Sequence, residues 1–331
     1  MIQAEAAPYT QHKSAWDDLL NHDPVQYPLG SAMDQAYSAA YAESWQYNDI
    51  SILVHDDGRP LAGLQISRGL SPDGQQALNF YGRPCYLRLN GTAPILTLEK
   101  AQKLLVDALL EKMAAPGGIP FHFMEMCRNG ELSDFCVGLL KGGFHAAPYY
   151  TQILDLQDPV ETLKRGVRKS YKSLISWGEK NLSPVVYDSQ TITEGTFRSF
   201  HDLHVDAAGR ETRSQASWDI QMEQIRRNEA FLVLGTMEGN PVSGALFLTS
   251  PAYCYYGVGA SDRALFEKPL SHAILWAGIL EAKRKGIRTF EMGELVHLYG
   301  SGYSEKEKNI ALFKSGFGGS TRLMLRISKP E

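Results

Sequence analysis

The sequence holds only four cysteines in 331 residues, Cys85, Cys127, Cys136 and Cys254, and none of them forms a CxxC pair. That spacing excludes the usual zinc-site and disulfide-framework patterns and leaves scattered core thiols. No apolar run approaches the roughly 18 residues of a membrane-spanning helix. The opening stretch MIQAEAAPYT lacks the basic segment followed by an apolar one that marks a secretory signal. A cytoplasmic protein is therefore expected. Charge of neither sign dominates, and a net charge of −4 argues against a surface built to coat nucleic acid. Local basic patches remain compatible with it.

What the sequence does have is a repeat. Gly58-Arg59-Pro60-Leu61-Ala62-Gly63 returns as Gly239-Asn240-Pro241-Val242-Ser243-Gly244. The block GGIPFHFME from Gly117 resembles KGIRTFEMGE from Lys285, and KGGF at Lys141–Phe144 resembles KSGF at Lys314–Phe317. Three blocks in the same order at nearly constant spacing point to two copies of one unit, each about half the chain. The length agrees, because single hydrophobic cores stop growing at about 250–300 residues. With 44% hydrophobic and 21% charged residues, each half can bury a core of its own.

Each copy reads as strand, turn, strand, helix, strand. In the second half AFLVLGTM and VSGALFLT flank Glu238-Gly239-Asn240-Pro241, a hairpin signal, and YCYYGVGAS follows as a third strand. Ser271–Lys285 is apolar on most faces and runs into Lys283-Arg284-Lys285-Gly286, a helix stop; Ser271 is the expected N-cap. IRTFEMGE is then a strand, Ser304 to Glu307 a capping box, Lys306–Lys314 a helix, and TRLMLRIS a strand with Leu323, Leu325 and Ile327 turned inward. The first half repeats this order, with a helix over Leu98–Ala115. Extra helical regions precede each copy, at Ser31–Trp45, with its stripe of Met33, Tyr37, Tyr41 and Trp45, and at Val160–Asn181. A domain boundary is expected near Asp158-Pro159.

A mostly antiparallel sheet with a GxPxxG hairpin, then strand, buried helix and strand, resembles the GNAT acyltransferase fold. The successive blocks RKSYKSLISWGEKN, LHVDAAGRETRS, YYGVGAS, FEMGE and FKSGFGG resemble the FemAB-like branch, built from two tandem GNAT-like domains. The likeness covers nearly the whole chain and is strongest from Leu163 to Gly319; it rests on the order of the blocks. It implies an α/β (α+β) architecture of two domains, each a mostly antiparallel sheet flanked by helices. Residues 1–158 would form a catalytically silent acceptor-side domain and residues 159–331 the acyl-donor and catalytic domain. Members of this branch transfer an acyl group to a primary amine, from aminoacyl-tRNA or from acyl-coenzyme A.

Such a transfer needs a neutral amine, a carbonyl held close to it and a donor for the developing oxyanion. Glu291 and Glu294 end a strand aimed at the expected reaction centre, where a buried carboxylate could take the amine proton; strand alternation alone allows Glu291 to face solvent. Glu125, in the corresponding strand of the first copy, shows that an acid there can be structural. The resemblance places Lys314 beside the donor as a carbonyl or phosphate contact, although a lysine capping a helix end is equally compatible. Tyr299 and Tyr303 are candidates for protonating a leaving thiolate, and His272 is a further candidate base.

The loop Ser261–Leu270 occupies the place where GNAT proteins seat the coenzyme A pyrophosphate at a helix N-terminus. It lacks their Gly-rich fingerprint and offers Arg263, Lys268 and Ser271 instead. For the acceptor, Arg168, Lys169 and Lys172 lie on a cationic helix face expected at the cleft between domains, and the resemblance adds Arg210 or Arg213 with Tyr255 or Tyr256. His201 and His204 have metal-pair spacing without a third ligand in view, so no metal site is assigned.

The expected activity is N-acylation of a nucleotide-linked amino sugar in bacterial surface-polysaccharide synthesis, such as lipopolysaccharide O-antigen. The acyl-coenzyme A would be a co-substrate attacked directly by the amine, with no permanently bound cofactor. An aminoacyl-tRNA-dependent ligase acting on a peptidoglycan precursor is the alternative, and a non-catalytic GNAT-fold binding protein the second. Exposed sheet edges make a homodimer compatible with the fold.

Overall fold

A computed structural model of the protein describes residues 1–42, 44–113, 119–127, 130–296 and 302–329. They fall into two compact units: Met1–Gln26, Gly30–Tyr149 and the stretch from Leu323 in the first, Tyr27–Leu29 and Tyr150–Arg322 in the second. The chain passes between them at Tyr149 and Tyr150, upstream of Asp158-Pro159. That point lies inside a continuous strand, directly after Pro148, so no turn marks it in the sequence.

The first unit begins with β1 (Ile2–Ala6), α1 (Lys13–His22), α2 (Ala32–Tyr41), β2 (Gln46–Asp49), β3 (Ile52–Asp56) and β4 (Arg59–Gln65). It continues with β5 (Ser67–Leu70), β6 (Gln76–Asn79), β7 (Tyr86–Leu89), α3 (Ile95–Met113), β8 (His122–Met126) and α4 (Asp134–Lys141), and runs into β9 (His145–Asp155). Strands β1, β3, β4 and β7 form one antiparallel sheet in that order, and β2, β5 and β6 another. Leu105 and Leu109 of α3 share a core with Val54, Leu64, Phe123 and Phe135.

The second unit holds α5 (Val160–Gly166), α6 (Lys169–Asn181), β10 (Val185–Tyr187), α7 (Glu194–Ala208), α8 (Gln215–Arg226), β11 (Ala230–Met237) and β12 (Asn240–Thr249). After them come β13 (Tyr253–Ser261), α9 (Leu270–Arg284), β14 (Thr289–Leu295) and α10 (Glu305–Ser315), and β15 (Ser320–Ser328) returns the chain to the first unit. Its strands run β10-β11-β12-β13-β14-β9, all antiparallel except the β13–β14 pair. That parallel pair is bridged by α9, whose Ile274, Leu275 and Ile279 pack with Phe231, Phe247 and Phe290. A helix apolar on most faces is buried, as its composition requires.

The repeated hairpin is the same object twice. Asp57 and Gly58 have φ of 47° and 82°, and Glu238 and Gly239 have 53° and 84°. Two left-handed residues between directly paired strands make the type I′ turn that matches strand twist. The second glycine of each block admits a packed side chain. A Cβ on Gly63 would stand 2.6 Å from the Trp16 ring, and one on Gly244 would stand 2.5 Å from Leu234 and 2.8 Å from Phe200. At Gly58 and Gly239 nothing lies within 4 Å, so only the backbone resists substitution. Gly58→Ala and Gly239→Ala are each expected to lower unfolding stability by about 1–2 kcal/mol, read from the denaturant midpoint.

Several expected elements differ in detail. Val160–Asn181 is two helices, broken at the extended residues Val167 and Arg168, because Gly318 packs against the Gly166 backbone. Ser271 is not the N-cap of α9: the helix starts at Leu270 behind Pro269, with no side-chain cap. In β15 burial falls on Met324 and Ile327, and Leu323 is 37% exposed. The capping box is present, Ser304 and Glu307 bonding each other's backbone amides.

Candidate active site

Strands β13 and β14 pair only over Tyr253–Thr289, Cys254–Phe290 and Tyr255–Glu291. Beyond that point β14 bulges against β9 between Glu291 and Gly293, and Gly293 adopts φ +83°. Bulges re-aim side chains at strand ends, and here one side of the bulge carries Glu291.

Glu291 is buried, at 4% exposure. Its Oε1 accepts from Thr151 Oγ1 at 2.6 Å and its Oε2 from the Tyr253 hydroxyl at 2.8 Å. The Tyr27 hydroxyl is a third hydrogen-bond partner. The Tyr27 ring stands edge-on to Tyr253 at 5.0 Å and to Tyr255 at 6.2 Å. Desolvation raises the pKa of Glu291, while the three hydroxyls and the Lys314 charge draw it down. The solvent-facing arrangement that alternation allowed is not adopted, because both neighbours and the acid itself are covered.

Lys314 closes the last turn of α10 and donates from Nζ to the Glu294 carbonyl at 3.0 Å. Burial lowers its pKa, and Glu291 and Glu294 oppose that. A Cβ on Gly293 would lie 3.2 Å from Lys314 Nζ and 3.3 Å from the Tyr255 hydroxyl. An ammonium and a phenol thus converge over one glycine, beside a buried acid. Glu294 enters through its carbonyl, and its side chain is at an exposed position.

The internal copy sharpens this. Lys141 ends α4 on an exposed position. Glu125 spends its carboxylate on the Ser133 amide and hydroxyl, at 2.8 and 3.0 Å, at the start of α4. The acid of the first copy holds a helix end; that of the second meets hydroxyls and an ammonium.

A cavity of about 220 Å³ lies along the part of β13 that has no β14 partner and reaches the first turns of α9. Ser243, Ser261 and Ser271 line it, their hydroxyls linked at 2.9 and 3.0 Å, with Tyr256, Gly259 and Ile274. Tyr256 folds its hydroxyl over Gly259. Arg263 and Lys268 are exposed in the preceding loop, where Lys268 Nζ reaches Met237 Sδ at 3.6 Å. Phe266, 87% exposed, stands between them.

The other predicted residues are spread over the second unit. Arg213 stacks on Trp218 at 4.6 Å and approaches His204 at 3.5 Å. Burial and the Arg213 charge depress the His204 pKa to about 4. His201 is flanked by Asp202 and Glu211 at 2.9 and 3.1 Å. Arg210 is exposed, as is Lys169; Arg168 donates to the Leu312 carbonyl and covers Tyr171, and Lys172 reaches the Arg165 carbonyl. His272 lies among Tyr171, Phe313 and Phe317, where desolvation lowers its pKa. Tyr303, 39% exposed, precedes the α10 cap. Tyr299 lies outside the described residues.

Sequence reasoning did not single out Tyr27, Thr151 or Tyr253. Tyr253 had a signal, since period-2 alternation puts it on the same face as Tyr255. Thr151 and Tyr27 had none.

No protein-family model matches the sequence, and no curated protein does either. Solved structures do match. FemX superposes with a TM-score of 0.70 at 13% identity, over 98% of this chain and 96% of that one. L-PGS from Bacillus licheniformis gives 0.57 at 12%, over 96% and 91%. A tandem GNAT protein from the clavulanic acid biosynthesis pathway gives 0.54 at 15%, over 99% and 98%. What these likenesses share with the chain is the fold, and it is the tandem GNAT-like α/β architecture that the ordered motifs imply.

Proposed function

We propose that the protein is an acyltransferase that moves an acyl group to a primary amine at the end of β14. The observation that carries this is the convergence of Lys314 Nζ and the Tyr255 hydroxyl over Gly293, next to buried Glu291. The amine nitrogen attacks the acyl carbonyl, a C–N bond forms, and the developing oxyanion takes the Lys314 ammonium as its donor. Collapse breaks the bond to the leaving group, which leaves protonated by the Tyr255 phenol beside Gly293; the Tyr303 phenol is the alternative donor. The proton lost by the amine passes to Glu291, directly or through water, and burial suits that acid to receive it.

The donor we favour is an acyl-coenzyme A. The cavity beside unpaired β13 supports this, since its three serine hydroxyls suit the amides of an extended thioester arm. The acceptor we favour is a nucleotide-linked amino sugar, whose phosphates would suit Arg213 and the cations Lys169 and Lys172. A second reading, aminoacyl-tRNA as donor and a peptidoglycan precursor as acceptor, is supported by the likeness to FemX and by exposed Lys164, Arg165 and Lys169.

Thermal unfolding with coenzyme A, deacylated tRNA, UDP and dTDP separates the two. A ligand at a hundredfold its Kd stabilises the folded state by about 2.7 kcal/mol. Stabilisation by coenzyme A and one nucleotide is the expected result. Stabilisation by tRNA without coenzyme A would replace it with the second reading, and no stabilisation by any of the four contradicts both.

A further inference from the structure

Tyr27–Leu29 belongs to the second unit although the residues on both sides belong to the first. No reaction step above needs this excursion, yet it seats a phenol on the buried acid. We propose that Tyr27 is a positioning residue of this site: its hydroxyl, with those of Tyr253 and Thr151, holds Glu291 as the carboxylate that accompanies the Lys314 ammonium.

Among the described residues, the hydrogen-bonding and charged partners of Glu291 are three hydroxyls and one cation. Thr151 comes from β9, Tyr253 from β13, Tyr27 from its own short segment and Lys314 from α10; Tyr255 pairs with Glu291 in the strand register. A carboxylate offers about four lone-pair sites and no donor, so three hydroxyls fit its ionised form without conflict. A protonated Glu291 would have to donate to one of them, and the Lys314 ammonium would lose a counter-charge that opposes its desolvation. The edge-on packing of Tyr27 against Tyr253 and Tyr255 fixes where its hydroxyl points. The segment that carries Tyr27 therefore sets the charge state of the pair, and what the pair does rests on the acyltransferase reading.

The test needs no substrate, so its failure is separate from any failure to find acyl transfer. In whole protein labelled with carbon-13 glutamate, the Glu291 carboxyl resonance is the one that disappears in Glu291→Gln. Removing one hydrogen bond to an ionised group is expected to move its titration up by about one to two pH units in Tyr27→Phe. The Lys314 Nζ resonance, followed by nitrogen-15, is expected to titrate lower in the same variant. Should Tyr27→Phe not fold, 3-fluorotyrosine placed at position 27, a stronger donor, is expected to move Glu291 down instead. A Glu291 titration unmoved by either change overturns the proposal. A role in packing alone would lower the unfolding temperature and leave that titration in place.

Discussion

Gly293→Ala is expected to lower turnover by up to about a hundredfold while the protein stays folded. Two effects coincide at this position. With φ at +83°, a side chain costs about 1–2 kcal/mol in backbone strain. That is a modest loss for a chain with two cores. The second effect is local to the chemistry, because the new Cβ would sit 3.2 Å from Lys314 Nζ and 3.3 Å from the Tyr255 hydroxyl. Both groups must then give way by a few tenths of an ångström, and a full displacement of about 1 Å at reacting groups, which costs on the order of a hundredfold in rate, sets the upper limit of the loss. Circular dichroism and thermal unfolding would report the folded state, and kcat the loss. A Gly293→Ala enzyme with wild-type kcat would show that the two groups do not act at this point.

A second large effect is a contrast between the two copies. Lys314→Ala is expected to reduce kcat by about a hundred- to a thousandfold, the usual consequence of removing one oxyanion donor. Lys141→Ala, at the copied position, is expected to leave kcat unchanged. The reason is environment: Lys314 is partly buried, faces Glu291 and bonds the Glu294 carbonyl, whereas Lys141 is exposed at the end of α4. Measuring both variants in one assay controls for helix-end charge, which the two lysines share. Equal losses in both would assign Lys314 to helix termination.

The parts of this fold that local chemistry dictates were legible in the sequence. A glycine ahead of proline between two β-branched runs specifies a hairpin, and both copies form it with the same pair of left-handed residues. Ser304 with Glu307 specifies a helix start, and a cationic run ending in glycine specifies the stop of α9. The duplication was legible for the same reason, since each block answers a local backbone requirement. Glu291 could be named as an acid at a strand end, but its burial could not. Its hydroxyl partner Thr151 lies 140 residues away, a contact that periodicity cannot carry. The break in Val160–Asn181 escaped because it answers to Gly318 in another loop. Tyr27 escaped most completely, being a short excursion of three residues into the other unit. In each of these cases tertiary packing overrides what the local pattern permits.

The measurement that bears most directly on the proposed activity is transfer itself. Purified protein would be supplied with acetyl-coenzyme A or with aminoacyl-tRNA, each against UDP- and dTDP-linked amino sugars and a peptidoglycan precursor bearing a free amine, and products read by mass. An amide product from one donor, formed by the wild type and by Lys141→Ala and lost in Lys314→Ala, is the predicted result. A product formed equally by all three proteins would contradict the assignment of the reaction to the end of β14.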